Sequence, residues 1–500
     1  MKLSSKIVVI SMLVMMLCCV SAVSAKDIDI DVTDDVITDD IAVDGVSDIV
    51  EDVEIDDASD DVVDAENLRE LANINGNTNI YAFFDSNGNL LTNTANTLTF
   101  GGDFYKTNYS FTNFKINRGI TINANASSTP TLYDMGFELI NADGITLDGI
   151  TFNMAAPNAA NCYAIDVENA NNTNVLNNKL TYTCGHNNPA NYNYVIKAMN
   201  SENLTMFNNT ITAYLPLKTV SWSLQGIAAD YVAGVAVEKC NNLNFTKNNL
   251  TVLSNARVGD YPTLDAFMIV NSNNSYVGDN KINEKDLVSN TCQYSYLYGI
   301  DVYQCNYITI NNNTVNMNGN DSATILPSGN ATGAAYCVQL TGPHDGVVIS
   351  NNTLTTKNGG PNLGIYSQNY NEGSTNITVT GNVIDVTGKA GREPWYVLSG
   401  MELQDDYAYV RGNTVTVHNE GGFIKNCQAW GISYCQYTAG NHYYEIENNT
   451  VTVNVGTWAV YIMVGNTDGF VSNNTLVATG SGLTGNAAAK APELTVSNNN

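Results

Sequence analysis

The sequence predicts an all-β chain, a single-stranded right-handed parallel β-helix of about 11 to 13 coils of roughly 30 residues. Three observations lead there. An Asn-Asn-Thr step between apolar runs returns along the chain, as "FNNTIT" at Phe207 to Thr212, "NNNTVN" at Asn311 to Asn316 and "VVISNNTLTT" at Val347 to Thr356. The step recurs at a near-constant interval. The runs on either side of it alternate apolar residues with Thr, Asn or charge at period two, and β-branched residues dominate them.

The interval is measured from the residue two before the apolar residue that restarts each run. Those anchors are Asp148, Asn178, Asn209, Asn248, Asn280, Asn313, Asn352, Asn382, Asn413, Asn449 and Asn474. Their spacings of 30, 31, 39, 32, 33, 39, 30, 31, 36 and 25 average about 33, a period that means stacked units. A second apolar patch precedes most anchors, as in "YAIDV" at Tyr163, "YGIDV" at Tyr298 and "WGISY" at Trp430. Helical repeats of this period would need apolar residues at three-and-four spacing, and the units show none. Three short strands per unit, each with one inward face, bury their apolar residues only by stacking on neighbouring coils. The corner before the third strand calls for a residue that tolerates a left-handed backbone and can satisfy it locally; Asn does both, and repeated Asn can hydrogen-bond up and down the stack.

Around this solenoid the chain divides into three parts. Lys2 and Lys6 flank an apolar run from Ile7 to Val20 that closes on Val23-Ser24-Ala25, an export signal expected to be cleaved after Ala25. The run is shorter than the roughly 20 residues of a membrane span. Residues 26–70 form an acidic spacer in which Asp27 to Glu70 holds 19 of the 49 acidic residues against one Arg. Mutual repulsion and the lack of aromatics predict no fixed structure there. "DIDID" at Asp27 lacks the Gly and Glu of a calcium loop. At the spacer's end Asp64 could cap a short helix, "AENLRELAN", stopped near Gly76. The β-helix is expected over residues 71–500. "LTVSNNN" ends the sequence where another anchor falls due, which reads as a segment of a longer chain.

Composition narrows the partners. A net charge of −28 with no basic cluster argues against nucleic acid. The exported part carries Cys162, Cys184, Cys240, Cys292, Cys305, Cys337, Cys427 and Cys435; disulfides and buried free thiols are both compatible with that number. His186, His344, His418 and His442 lie far apart and fit neither a metal spacing nor a Ser-His-Asp order. No catalytic, metal or cofactor residues are assigned.

The signal, the acidic spacer, "GITLDGITFNM" at Gly144 to Met154 and coils such as "ISNNTL" and "VTGNVI" resemble the adhesin-like surface proteins of methanogenic archaea, whose right-handed β-helix repeats are of the pectate-lyase type. That resemblance covers most of the chain after Glu70. It implies an exported, wall-associated protein that contacts other cells or polysaccharide. The rival is a polysaccharide lyase or glycoside hydrolase on the same fold, and a purely structural spacer is a third reading. "LQDDY" at Leu403 and "GNTDGF" at Gly465 look like polygalacturonase motifs in reversed order, so Asp468-Gly469, like Asp143-Gly144 and Asp345-Gly346, reads as a turn. Glu402, Asp405 and Asp406 are the densest acidic group along the coils, read as a solvated face and as the fallback carboxylate site. The 28 tyrosines, concentrated in "NYNYV" at Asn191, in "CQYSYLYGIDVYQCNY" at Cys292 to Tyr307 with Tyr294, Tyr296 and Tyr298, and in "ISYCQYTAGNHYYE" at Ile432 to Glu445, are either core stacks or a sugar-binding or protein-binding face. The balance leans away from an enzyme and towards a polysaccharide or cell-surface partner.

Overall fold

A computed structural model describes residues 72–92, 94–155, 163–184, 193–215, 231–255, 263–286, 296–319, 334–357, 362–368, 374–388, 398–419, 429–434, 442–454, 459–464, 468–479, 488–489 and 494–497. The export signal, the acidic spacer and His186 lie outside these residues. So do Tyr294, Cys162, Cys292, Cys427 and Cys435.

The chain is a right-handed parallel β-helix. Its strands form three parallel sheets. Each coil visits them in the same order, for example Ile165–Glu168 in the first sheet, Asn174–Leu176 in the second and Lys179–Thr183 in the third. The next coil repeats the path directly above, pairing Ile165 with Ile196, Val175 with Met206 and Leu180 with Ile211. Such in-register stacking carries each inward position into a column: Val175, Met206, Phe245, Val277, Ile310, Ile349, Val379, Val410, Ile446 and Val471 are all buried on the second sheet. One coil contributes few apolar contacts of its own, so the core is continuous along the stack rather than local to a coil.

Between the second and third sheets the turn needs only two residues, and they divide the work. The first has a left-handed backbone and is exposed: Asn177 at φ 54°, Asn208 at 56°, Lys247 at 57°, Asn312 at 55°, with glycine at 381 and 412. The second is a buried asparagine. Asn313 gives its backbone N–H to Asn352 Oδ1 at 2.8 Å and its amide to the same oxygen at 3.0 Å and to Val277 O at 2.9 Å. From Asn178 to Asn474 every one of the ten asparagines is at most 1–2% exposed, and each side-chain amide donates to the next at 2.9–3.2 Å. One residue was expected to supply both the left-handed turn and the stacking bonds; two neighbours do so. Asp148 is not in this column. It pairs with Leu176, and Ile150 takes the corner, giving its N–H to Asn178 Oδ1 at 2.9 Å. The restart rule misplaces it because Ile150 is itself apolar.

The first described residues also depart from the expected helix over Ala65 to Asn73. Ala72–Asn75 is a strand paired in parallel with Thr97–Gly101, while residues 65–71 lie outside the described ones. Beyond it Ile80, Phe84 and Leu90 are buried against Phe100, Phe104, Phe114 and Phe137, an aromatic-rich beginning to the core.

Candidate functional site

The outer face of the first sheet differs from the other two in what it displays. In the strand Tyr296–Tyr303, Gly299 and Ile300 are both buried, so outward positions fall at Tyr298, Asp301 and Tyr303. At Gly299 the backbone tucks inward: a Cβ there would stand 2.7 Å from Cys337 O and 2.5 Å from a methyl of Val315. Stacking then turns each outward position into a column. One runs Met268, Asp301, Gln339, Tyr366, Glu402, Ser433. Its neighbour runs Asp265, Tyr298, Tyr336, Leu363, Ser399, Trp430.

Aromatic rings form a shelf across these columns. Tyr298 and Tyr336 stack at 5.3 Å and 6°, and Tyr366 continues them at 5.5 Å and 34°; all three are half-buried. Carboxyl and amide groups stand beside the shelf. Burial pushes the Asp301 carboxyl up to about 7 and raises Glu402 despite the Gln404 amide beside it. Further along the column Asp166 is pushed up to about 6 by burial, against the opposing pull of Lys197. Asp301 Oδ1 and Gln339 Oε1 are buried and accept no hydrogen bond among the described residues. Such oxygens are costly unless a donor reaches them. Asp301 and Glu402 lie three rungs apart, about 14 Å at the spacing of parallel strands. A glycosidase pair spans about 5 to 9.5 Å.

A second polar group lies inside the solenoid. His344 Nε2 contacts Asp405 Oδ1 at 2.5 Å, His344 Nδ1 contacts Gly342 O at 2.9 Å, and Ser367 donates to Asp405 Oδ2 at 2.6 Å. Ser374 lies 3.3 Å from His344 Nδ1, and the Tyr434 hydroxyl donates to Asp405 O. Burial alone would lower His344, but the charge and hydrogen bond of Asp405 and the Gly342 carbonyl override it and hold the imidazole above its ordinary value. These residues are the elements of a serine hydrolase without its access. Ser367 shares Nε2 with Asp405, and Ser374 does sit on the opposite nitrogen as a triad serine would, but Nδ1 contacts Gly342 O at 2.9 Å, Ser374 donates to that same carbonyl at 3.3 Å, and His344, Ser367, Ser374 and Asp405 are 2% exposed or less, away from any substrate. The group acts as a buried ion pair that holds three coils together.

A third is the carboxyl of Glu284, at an inward position of the third sheet between Val252 and Met317. It is 1% exposed, no side chain among the described residues bonds either oxygen, and only the backbone N–H groups of Ala266 and Tyr298 lie near enough to favour its charged form. Burial, reinforced by Asp265, raises it well above the ordinary range.

The acidic group read as a solvated face therefore splits. Asp405 is buried against His344, Glu402 is half-buried on the outer face, and Asp406 lies 3.1 Å from His442 Nδ1. Two histidines that sequence spacing left isolated thus meet aspartates 61 and 36 residues away, because a solenoid juxtaposes residues one or two periods apart. Gly144, Gly346 and Gly469 are all at positive φ, but only Asp143-Gly144 is a bend outside the sheets; Asp345-Gly346 and Asp468-Gly469 open the strands Asp345–Ser350 and Asp468–Ser472. Cys240, Cys305 and Cys337 are free thiols, and like Cys184 they are buried. Tyr296 and Tyr298 lie in a first-sheet strand. Among the described residues no group of three His, Cys, Asp or Glu side chains is placed to hold a metal ion, and no helix is long and apolar enough to cross a membrane.

No family model matches the chain, and no curated protein matches it in sequence. Among solved structures it is similar to the periplasmic alginate epimerase AlgG, at 10% identity over 85% of this chain and 82% of that one, TM-score 0.42. It is also similar to the Streptococcus pneumoniae surface protein and adhesin PfbA, at 14% identity over 81% and 92%, TM-score 0.41. A PL6 alginate lyase in complex with a trisaccharide aligns at 13% identity over 83% and 88%, TM-score 0.31. At these values the fold rests on the strand pairing of this chain itself.

Proposed function

We propose that this chain is an exported, adhesin-like surface protein that binds polysaccharide along the outer face of its first sheet and does not cleave it. Residues 1–25 would direct export, and residues 26–70 would act as an acidic spacer. The observation that carries the reading is the tyrosine shelf with an adjoining column of amide and carboxyl groups. Tyrosine offers apolar area with a polar tip, the chemistry that the faces and edges of a sugar ring require. The rungs repeat at about 4.8 Å, so successive sugar residues of an extended polymer would meet successive coils. Weak contacts at each coil then add along the chain.

A second reading keeps one observation in its favour. The Asp301 carboxyl, held up to about 7 by burial, lies in the range of a general acid, which would suit a lyase or hydrolase. One experiment separates the two. Purified protein is tested for retention on a panel of wall, glucan and pectic polysaccharides, and the same mixtures are assayed for new reducing ends and unsaturated products. Retention without product, weakened by Tyr336→Ala, supports binding. Product that disappears in Asp301→Asn replaces it with the enzyme reading, and no retention on any polymer leaves a structural spacer.

A further inference from the structure

We infer that the polymer taken by this face is a neutral polysaccharide and that polyuronates are excluded; the inference rests on the binding reading above. Three features of the face lead to it. The first is what its basic groups are already doing. Lys197 is held 3.7 Å from Asp166 and Lys115 lies 3.7 Å from Glu138, while Lys239, at the corner just after the strand Tyr231–Glu238, lies 3.2 Å from Glu238. A polyanion is captured by cations that can turn to it, and each of these lysines already faces a carboxylate of this chain.

The second feature is the sign of the remaining charge. Asp301 and Glu402 stand in one column, on a chain whose net charge is −28. A uronate polymer lying along the coils would bring a carboxylate to each sugar ring, in line with these groups. Like charges brought together on a partly desolvated face are strongly disfavoured. Keeping Asp301 and Glu402 protonated removes part of the repulsion, but bringing in a second carboxylate beside each then costs a further desolvation.

The third feature is hydrogen-bond polarity. The buried oxygens Asp301 Oδ1 and Gln339 Oε1 accept nothing among the described residues, against one unpartnered donor on the two columns, Trp430 Nε1, so the stretch beside the tyrosine shelf lacks donors more than acceptors. A neutral hexose presents a hydroxyl at nearly every ring carbon, and each hydroxyl can donate. A uronate replaces one of those hydroxyls with an acceptor-only carboxylate. Sites built to receive a donor discriminate strongly against a ligand that lacks it, because their own buried groups stay unpaired.

The test uses the full exported chain and affinity electrophoresis in gels containing a neutral β-glucan, a neutral mannan or polygalacturonate, the last with calcium or with chelator, at low and moderate salt. The expected result is retardation by at least one neutral polymer and binding to polygalacturonate weaker by about tenfold or more, with the gap narrowing as salt rises. In the double variant Asp301→Asn, Glu402→Gln the ratio of polygalacturonate to neutral binding should rise by about tenfold. Polygalacturonate binding that equals or exceeds neutral binding, with or without calcium, overturns this inference and leaves the binding reading standing. An unchanged ratio in the double variant overturns the assignment of the discrimination to these two groups. Retardation by none of the polymers overturns both readings.

Discussion

Where the second sheet turns into the third, ten coils place asparagine at one buried position. Where the first turns into the second, the buried column reads Ala170, Ser201, Cys240, Ser272, Cys305, His344, Ser374 and Asp405. Both corners must satisfy backbone N–H groups away from water. The asparagine amide is donor and acceptor at once, so every coil gives and receives the same bonds and the column can extend without limit. Hydroxyl and thiol groups manage a shorter version: Cys240 gives its N–H to Ser272 Oγ at 2.9 Å, and Ser272 gives its own to Cys305 Sγ at 3.3 Å. Imidazole and carboxylate are less forgiving. They hold only as a set, with Ser367, Gly342 and Tyr434 completing it. A uniform corner spreads its stability over many coils, and a varied one concentrates it.

The largest effect should therefore come from the varied corner. Asp405→Ala removes the carboxylate that holds the buried His344 above its ordinary value and strands its Nε2, a loss of about 3 to 5 kcal/mol, read from urea unfolding or from amide exchange in the coils around residues 344–405. The uniform corner should respond less, and equally from coil to coil. Asn313→Ala strands the Asn280 N–H that now reaches Asn313 Oδ1 at 3.0 Å, and Asn352→Ala does the same to Asn313; each should cost about 1 to 3 kcal/mol. A cost at Asn313 matching that of Asp405→Ala would erase the distinction between the corners.

Those two corners also differ in how far they could be read from sequence. The asparagine corner was legible because its chemistry repeats at the period of the fold, so eleven similar steps identified it and only Asp148 was misassigned. His344 and Asp405 are 61 residues apart and occur once. Their meeting follows from adding two coil lengths, 30 and 31 residues, and nothing in "GPHDG" or "LQDDY" shows that the side chains turn inward. Glu284 was hidden for the same reason. "KINEKD" alternates as a surface strand should, and only the register with Val252 and Met317 puts its carboxyl in the core. The tyrosine shelf was half legible: composition flagged the region, but the stack of Tyr298 on Tyr336 required knowing which coil lies on which.

Acidity offers a third way to separate the corners. The asparagine column carries no titratable group. His344, raised above its ordinary 6.5, contributes stability that is complete below that value and lost as pH rises through the folded-state value. Glu284 acts in the same direction. Its carboxyl is raised above 4.5, so above that pH the unfolded chain ionises first and folding loses up to about 1.4 kcal/mol per pH unit. Asp265 and Cys337 are the titratable groups that bear on it, and neither supplies a positive charge. Stability should fall from mildly acidic to alkaline pH, and Glu284→Gln should flatten the slope above pH 4.5. An unaltered slope in that variant would show that Glu284 is not a buried, protonated acid.

The smallest effect should appear within the uniform corner, at its least uniform turn. Lys247 holds φ 57° where the equivalent residues are Asn208 at 56° and Asn312 at 55°. A side chain with a Cβ loses about 1 to 2 kcal/mol in that conformation unless, as for Asn, a short polar group relieves it locally. Lys247 also lies 5.4 Å over the Phe207 ring, a contact that at an exposed site is worth about 0.5 to 1 kcal/mol and would be lost on substitution. Lys247→Asn should therefore stabilise the solenoid by a net of about 0.5 kcal/mol, seen as a small rise in the urea midpoint with no change of slope. Asn312→Lys should have the opposite sign, since it gives up the amide bond to Asp279 and places a longer side chain in the left-handed conformation. If both variants destabilise the fold, the turn is governed by side-chain bonds such as that from Asn312 to Asp279, at 2.5 Å, and not by backbone conformation.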